Sequence, residues 1–154
     1  MPHPPKPGSQ ALRKGRRSLR NQAYLVTFVT ENRIPWFQQF DLAFTCCRLI
    51  TSTTKAMDAN PLCWVLMPDH VHLMVQIGDL DLSEVVRRLK AGSALVMNRR
   101  IGRRGRFWAP GFHDHGIRHE EDLRSAARYI VANPLRAGLA NKVGDYPWWD
   151  AVWL

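Results

Sequence analysis

The feature that most limits the fold of this chain is a pair of apolar segments separated by only two residues. The segments "LCWVLM" (Leu62–Met67) and "HVHLMVQIG" (His70–Gly78) are rich in β-branched and large apolar residues, a composition that is typical of buried strands. The two residues between them, Pro68 and Asp69, favour a tight turn. Strands joined so closely run antiparallel, so the sequence predicts a β-hairpin in the middle of the chain.

The remaining segments add helices and strands around this hairpin. Apolar periodicity and helix start and stop signals predict a strand over residues 23–30, a helix over 36–57, a helix that opens at Ser83–Glu84, a strand over 112–118 and a helix over 120–133. Pro134 is expected to stop the last helix at about Asn133. The order is β-α-β-β-α-β plus a C-terminal helix, which predicts an α+β, ferredoxin-like sandwich of two helices on an antiparallel sheet.

Charge is the most informative bulk property of the sequence. The chain has 154 residues and a formal net charge of +9, and residues 1–20 and 87–106 are rich in arginine and contain no acidic residue. Such blocks favour a polyanion as partner, because each neutralised phosphate releases condensed counterions. The alternative is a pair of solvated faces that only keep the protein soluble.

Length and composition also predict how the chain is organised. The first residues are rich in proline and then in arginine, so we expect a disordered basic arm over 1–20 and a single domain over 21–154. No apolar run approaches the ~20 residues of a membrane span, and no signal peptide is recognisable, so we expect a cytoplasmic protein without a membrane partner. The three cysteines form no C-x-x-C pair and are expected to be packed, reduced side chains.

The predicted third strand contains two histidines in an H-x-H arrangement. Since side chains alternate along a strand, His70 and His72 point to one face and Val71 to the other. Two imidazoles so placed can bind one metal ion with help from a third group. The alternative is a pair of hydrogen-bonded structural histidines, although burying two such rings on one face without a cation is costly.

A second H-x-H segment, "HDH", lies in the predicted strand over 112–118. His113 and His115 would also share a strand face, so a second metal pair is possible, with Asp114 pointing away. No further ligand is found nearby in the sequence. We therefore expect His115 or Asp114 to provide hydrogen-bonding support rather than direct ligation.

Tyr129 and Asn133 are four residues apart in the predicted last helix. This spacing places them one above the other on the same side, where they can offer a phenolate nucleophile and an oxygen ligand. The alternative is a tyrosine at the rim and an asparagine that ends the helix before Pro134. Together with the histidine pair and the basic blocks, attack of a tyrosine hydroxyl on a metal-activated phosphodiester uses all these features.

Four motifs in this order resemble the REP-associated tyrosine transposases: "MPDHVHLMV", "LKAGSALVMN", "FHDHGIR" with "EEDL", and "YIVANPLRAGL". This family is related to the single-strand transposases of the smallest bacterial insertion sequences, within the HUH endonucleases. The resemblance runs from about Gly15 to Trp148. It implies the ferredoxin-like fold and a cytoplasmic, nucleoid-associated bacterial enzyme that cuts single-stranded DNA near palindromic hairpins.

The resemblance also implies roles for individual residues. His70 and His72 match the metal-binding pair of the family, and Asn133 matches the polar residue that completes the metal site. Tyr129 matches the single nucleophilic tyrosine. In the family, Mg²⁺ or Mn²⁺ polarises the scissile phosphate, and attack by the tyrosine leaves a 5′-phosphotyrosine link and a free 3′-OH.

DNA contacts follow from the same resemblance. The N-terminal region of the family helps to recognise bases beside the hairpin, and here Arg20–Asn21 replaces a common Pro-Gly turn; Asn21 tolerates a left-handed backbone. Basic residues further along the chain would hold hairpin phosphates. The predicted DNA contacts are Arg16, Arg17, Arg20, Arg87, Arg88, Lys90, Arg99, Arg100, Arg103, Arg104 and Arg106.

Several alternatives stay open at this point. A catalytically silent protein that binds DNA hairpins has the same fold, and a metal-dependent nuclease using water would leave Tyr129 structural. Phe107 or Trp108 can stack on an unpaired base, although packing against the sheet is the more common use of such residues. Relatives in mobile elements act as dimers, whereas the repeat-associated branch is able to act as monomers, so we expect a monomer, with a homodimer as the alternative.

Overall fold

The computed structural model describes residues 18–153 of the protein. The helices are α1 (Phe40–Ala56), α2 (Leu82–Ile101), α3 (Glu120–Val131) and α4 (Asn133–Arg136), and the strands are β1 (Ala23–Val29), β2 (Asn60–Met67), β3 (His70–Gln76), β4 (His113–Ile117) and β5 (Trp149–Ala151). Within residues 18–153, each helix is too short or too polar to span a lipid bilayer. The α+β class and the predicted order of elements are confirmed, whereas the ferredoxin-like assignment and the division into a 1–20 arm and a 21–154 domain stay predictions.

The strands form one antiparallel sheet with the order β4-β1-β3-β2-β5. Strand β3 is central, because it pairs with β1 on one side and with β2 on the other. The predicted hairpin is confirmed, with Pro68 and Asp69 as the only residues between β2 and β3. The hairpin therefore places the start of β3 between two neighbouring strands, with His70 opposite Val29 of β1 and Met67 of β2.

Different helices cover the two faces of this sheet. On one face, Val71 and Leu73 of β3 belong to the larger core, which also includes buried residues of α1 and α2. On the other face, Met74 of β3 packs in a smaller core with Ile130 and Val131 of α3. We call this second side of the sheet the α3 face.

Helix α2 begins at Leu82, one residue before the predicted start at Ser83, and extends to Ile101. The Asp81 side chain caps its first turn by accepting a hydrogen bond from the Ser83 N–H, since a carboxylate there satisfies an amide that has no partner within the helix. At the other end, Gly102 has a φ of 65° and ends the helix. Arg99 and Arg100 therefore lie in the last helical turn.

The basic loop that follows α2, residues 102–112, contains aromatic residues that belong to the core. Phe107 and Trp108 are both buried, so the prediction that they pack against the sheet is confirmed. The Trp108 Nε1–H donates to Ser93 Oγ at 2.9 Å, which satisfies the polar end of a buried indole.

The C-terminal region differs from the sequence prediction in two ways. Helix α3 ends at Val131, and α4 resumes helical structure with Pro134 as its second residue, where the missing N–H of proline is not needed. In addition, Trp149–Ala151 forms strand β5 on the edge of β2, a strand that is absent from the predicted order of elements. Short edge strands carry little periodicity, which explains the omission.

The segment before β1 is attached to the start of α2. Ser18 Oγ accepts a hydrogen bond from the Leu82 N–H at 2.9 Å, and Arg20 forms an ion pair with Asp79. Asn21 has a φ of 67°, the left-handed conformation that asparagine was expected to tolerate. These contacts hold residues 18–21 against the start of α2.

Candidate active site on the α3 face

His70 and His72 lie side by side on the α3 face of the central strand. They alternate with the buried Val71 and Leu73 and share the orientation of Met74. Their ring centroids are 4.9 Å apart, and the ring planes are nearly perpendicular at 87°. The rings are therefore close enough for one ion to contact both.

The Asp69 carboxylate fixes the orientation of the first histidine. His70 Nδ1 lies 2.7 Å from Asp69 Oδ1, and Arg33 Nε donates to Asp69 Oδ2 at 2.9 Å. Burial alone would raise the pKa of Asp69, but the hydrogen bonds from His70 and Arg33 outweigh burial and lower this pKa. An anionic acceptor at Nδ1 favours the tautomer that keeps a lone pair on Nε2.

A hydroxyl group performs the same task for the second histidine. Thr27 of β1 is directly opposite His72 in the sheet, and its Oγ1 is 2.8 Å from His72 Nδ1. Burial, followed by the charges of His70 and Arg136, lowers the pKa of His72 to about 4, so this ring is neutral at pH 7. In the described part of the chain, neither histidine has a hydrogen-bond partner at Nε2.

Helix α3 carries Tyr129 on the same side of the sheet. Its neighbours Ile130 and Val131 are buried in the smaller core, which anchors this turn of the helix. Tyr129 itself is 64% exposed. The phenol group is thus held on a packed helix and stays accessible to a large substrate.

Arg136 of α4 contacts Tyr129 at two points. Its guanidinium carbon is 3.7 Å from the centroid of the Tyr129 ring, and its Nη2 donates to the Tyr129 carbonyl at 2.7 Å. The charge of Arg136 also contributes to the low pKa of His72. Arg136 is therefore near both the tyrosine and the histidine pair.

Asn133 is not on a continuous helix with Tyr129, contrary to the sequence prediction. The helical path is interrupted at Ala132, and Asn133 is the first residue of α4. Its side chain is partly buried, and its carbonyl accepts a hydrogen bond from the Ala137 N–H at 3.0 Å. The assignment of Asn133 as a metal ligand stays a prediction.

The second H-x-H segment lies on the edge strand. His113 is opposite Thr27, so one whole strand separates it from His72. His113 and His115 are both exposed. Asp114 points to the opposite face of the sheet. The arrangement brings neither Asp114 nor His115 to the histidine pair, and their supporting role stays a prediction.

Most predicted DNA-contacting arginines lie on the exposed surface of α2 and the loop after it. Arg87 and Arg88 both bind Glu84, and their hydrogen bonds lower the pKa of this solvent-accessible carboxylate to about 2. Such surface pairs are weak because solvent screens them, so a DNA phosphate can replace the carboxylate. Three more of these residues have acidic partners, namely Arg20 with Asp79, Arg100 with Asp41 and Arg106 with Glu31.

The remaining arginines of this set differ in their surroundings. Arg103 packs over the Trp36 ring, with its guanidinium carbon 5.7 Å from the ring centroid. Arg99 and Arg104 are exposed, and no acidic partner for them is found within residues 18–153. The last two predicted contacts, Arg16 and Arg17, lie outside the described residues.

Lys90 is held within the protein. Its Nζ donates to the carbonyls of Ala109 and Gly111 at 2.7 and 2.6 Å, which fastens the basic loop to α2. Burial lowers the pKa of Lys90 to about 8, while the two carbonyl acceptors favour the charged form. This geometry favours a structural role for Lys90 over the predicted phosphate contact.

The basic loop (residues 102–112) meets the end of the sheet that carries the histidines. Thr30, just after β1, pairs with Trp108 of the loop, and its N–H donates to the Asp69 carbonyl at 2.9 Å. Thr30 therefore connects the basic loop directly to the turn that precedes His70. Phosphates held by the loop would lie at the border of the site.

Sequence analysis missed three residues of this site. Asp69 was assigned only to a turn, although its position directly before the H-x-H segment was a usable signal. Arg136 is seven residues after Tyr129, about two helical turns, and this spacing also pointed to a shared side. Thr27 gave no signal, because its pairing with His72 depends on the register of two distant strands.

Two curated sequences are similar to this chain. The REP-associated tyrosine transposase of Escherichia coli K12 is 31% identical over 86 residues, which cover 54% of this chain and 49% of the relative. A Haemophilus influenzae protein provisionally given the same name is 27% identical over 140 residues, which cover 84% of this chain and 72% of that protein. The chain thus spans about half the length of the E. coli relative.

Structural and family comparisons agree with this similarity. The structure of a REP-associated tyrosine transposase bound to a REP hairpin matches with a TM-score of 0.72 and 25% identity, over 87% of this chain and 79% of that one. The family described as "Transposase IS200 like" matches residues 18–133, a range that includes the histidine pair, Tyr129 and Asn133. The resemblance seen in the sequence is confirmed, and the chain belongs to the IS200-like transposase family.

Proposed function

We propose that this protein is a metal-dependent, transposase-like enzyme that cuts and rejoins single-stranded DNA at palindromic hairpin repeats through a covalent 5′-phosphotyrosine. The proposal rests on one observation. Among residues 18–153, His70 and His72 have partners at Nδ1 but none at Nε2, and they lie on the same sheet face as the exposed Tyr129. Family membership and the likeness to a protein solved with a REP hairpin support DNA hairpins as the substrate class.

The side chains present fit a divalent cation. The Nε2 atoms of His70 and His72, with the Asn133 amide oxygen, would form a mixed nitrogen and oxygen set that suits Mn²⁺, or Mg²⁺ when phosphate oxygens complete the shell. Within residues 18–153, no group of three or more His, Cys, Asp or Glu side chains converges, so the substrate would supply further ligands. When bound, the ion supplies positive charge that polarises the scissile phosphate.

Tyr129 acts as the nucleophile in this proposal. Its Oη forms a bond to phosphorus while the bond from phosphorus to the 3′ oxygen breaks, and the phenol proton is transferred, in net terms, to the departing 3′ oxygen. One phosphodiester is exchanged for another, so the step needs no redox partner or nucleotide and can run backwards to rejoin strands. A free tyrosine has a pKa of about 10, so positive charge near the phenol is needed at neutral pH.

The exposed face of α2 and the basic loop hold the hairpin in this proposal. The loop adjoins the turn before His70 through Thr30, so a strand that leaves the loop is directed to the histidine pair. The arginines would exchange their carboxylate partners for phosphates, contacts that position DNA without reading its sequence. Each phosphate contact is expected to lower log K by about 0.7 per tenfold rise in salt for single strands.

The experiment uses the full chain with labelled single-stranded hairpin DNA and Mn²⁺ or Mg²⁺, analysed on a denaturing gel. A band of DNA covalently bound to protein is expected for the wild type and for Tyr24→Phe. Tyr24 is a matched control, since it is a buried tyrosine of the larger core on the opposite sheet face. The band is expected to vanish in Tyr129→Phe.

Other outcomes identify the competing functions. Free cut products that persist in Tyr129→Phe would replace the proposal with a nuclease that uses water. Binding without cutting, for every hairpin tested, would favour a silent hairpin-binding protein. Loss of the covalent band in chelator and its return with Mn²⁺ would support the metal-dependent part of the proposal.

A further inference from the structure

We propose that Arg136 is a positioning residue for Tyr129. Its guanidinium clamps the phenol ring in a fixed orientation on the α3 face and places a permanent positive charge against the ring. The inference rests on the proposed function of Tyr129 as nucleophile. It concerns a residue of α4 for which neither the sequence motifs nor the chemistry above gave a role.

The contacts of Arg136 amount to a two-point clamp. The guanidinium lies over the ring face at 3.7 Å from the centroid, well within the distance of a cation–π contact. The same guanidinium donates from Nη2 to the Tyr129 carbonyl at 2.7 Å. One planar group thus holds both the backbone and the ring of the same tyrosine, which restricts rotation of the ring about its side-chain bonds.

The break between α3 and α4 makes this clamp possible. Pro134 has no N–H to continue the helix, and the chain turns at Ala132 before α4 begins. The Tyr129 carbonyl near this break accepts the Arg136 guanidinium. The Tyr129 carbonyl is one of the last four carbonyls of α3, which have no partner within a helix, so the end of α3 leaves it available to Arg136.

The clamp gives the exposed Tyr129 side chain a fixed orientation. Tyr129 is 64% exposed, and a free surface phenol samples several rotamers, most of which point away from a bound phosphate. Holding a reacting group in a near-attack geometry removes much of this entropic barrier. The guanidinium charge also favours the anionic transition state without any proton transfer of its own.

The test compares Arg136→Met and Arg136→Lys with Arg128→Met. Arg128 is an exposed arginine of the last turn of α3, so its substitution removes the same charge without touching the clamp. The first measurement is ¹⁹F NMR of protein containing 3-fluorotyrosine, without DNA or metal, with the Tyr129 signal assigned by Tyr129→Phe. The second is the single-turnover rate of covalent adduct formation, with hairpin affinity measured separately.

The inference predicts a shifted Tyr129 ¹⁹F signal in Arg136→Met and Arg136→Lys and an unchanged signal in Arg128→Met. The adduct rate is expected to fall on the order of 100-fold in both Arg136 variants, with hairpin affinity within threefold of that of Arg128→Met. Lysine keeps the charge but not the planar stack, so full rescue by Arg136→Lys would overturn the clamp.

Three results separate the failure of this inference from other failures. An unchanged ¹⁹F signal, or an adduct rate within threefold of the wild type, would refute the positioning role. If Arg136→Met does not fold, Arg136→Lys is judged by the same two criteria. If Tyr129→Phe still forms adduct, the proposed function fails, while the NMR result still decides whether the clamp exists.

Discussion

The sheet contains two H-x-H segments that look alike in sequence and differ in their surroundings. His70 and His72 lie in the central strand, are partly buried, and each has an Nδ1 partner. His113 and His115 lie on edge strand β4 and are exposed. Both pairs point to the α3 face, so neither spacing nor orientation distinguishes them.

The neighbours of each pair make the difference. The turn of the hairpin places Asp69 beside the first histidine, and β1 places Thr27 beside the second, whereas the residue between the edge histidines points to the other face. A metal site needs ligands whose other nitrogen is held by a second group. The central pair meets this requirement through its position in the sheet, and the following predictions test that distinction.

The largest expected effect is the loss of metal binding when a central histidine is removed. In His70→Ala or His72→Ala, affinity for Mn²⁺ in the presence of hairpin DNA is expected to fall by more than about 100-fold, because a direct ligand contributes more than an outer partner does. His113→Ala and His115→Ala are the matched controls and are expected to stay within threefold. Isothermal titration calorimetry measures all four variants. An equal loss of Mn²⁺ affinity in His113→Ala would show that the central and edge pairs bind metal equally, which contradicts the distinction between them.

The next effect concerns the carboxylate beside the first histidine. Asp69→Asn keeps the shape of the side chain but removes the anion that holds His70 Nδ1, and Mn²⁺ affinity is expected to fall by about 10 to 100-fold. The same titration applies. Asp114→Asn is the control, since Asp114 points to the opposite face. An unchanged affinity in Asp69→Asn would mean that the sheet alone orients the ring.

The sequence predicted the fold well because the signals for helices and strands are local. The hairpin around Pro68–Asp69, the helix in α2 and the strand in β4 follow from periodicities of a few residues. The order of elements along the chain was confirmed for the same reason, since each element carries its own local signal. Strand β5 was missed because three residues carry no period.

The site was predicted only as far as single motifs extend. His70, His72 and Tyr129 belong to motifs that can be recognised within about ten residues. Thr27 was not predictable, because its role exists only once β1 and β3 pair in a particular register. Lys90 has the sequence signature of a DNA contact, but the folded loop takes its amino group. Long-range contacts therefore add Thr27 to the candidate site and favour a structural role for Lys90.

The pH dependence of stability provides a third test, in metal-free protein. The pKa of His72 is lowered from 6.5 to about 4, so the unfolded state binds more protons between these values and the free energy of unfolding decreases as pH falls from about 6.5 to 4. A pKa difference of one between the folded and unfolded states corresponds to about 1.4 kcal/mol of stability. Solvent screens the partly exposed His72 ring, so the expected loss of unfolding free energy between pH 6.5 and 4 is about 2 kcal/mol.

Urea unfolding at several pH values in the presence of a chelator measures this effect. His72→Gln is expected to lose most of the slope between pH 6.5 and 4, because glutamine does not titrate there. His113→Gln retains His72 and is therefore expected to keep the slope. The same slope in His72→Gln as in the wild type would assign the pH dependence to other groups and remove the support for a neutral, buried ring.

The smallest expected effect tests the hydroxyl beside His72. Thr27→Val replaces the hydroxyl by a methyl group of similar size, so packing is preserved while His72 Nδ1 loses its partner at 2.8 Å. One lost hydrogen bond corresponds to about 1 kcal/mol, or about fivefold in Mn²⁺ affinity. Thr27→Ser keeps the hydroxyl and is expected to bind Mn²⁺ like the wild type. If serine binds as weakly as valine, the methyl group and not the hydroxyl orients the ring, and the contrast between the two histidine pairs would then depend on burial and on Asp69 alone.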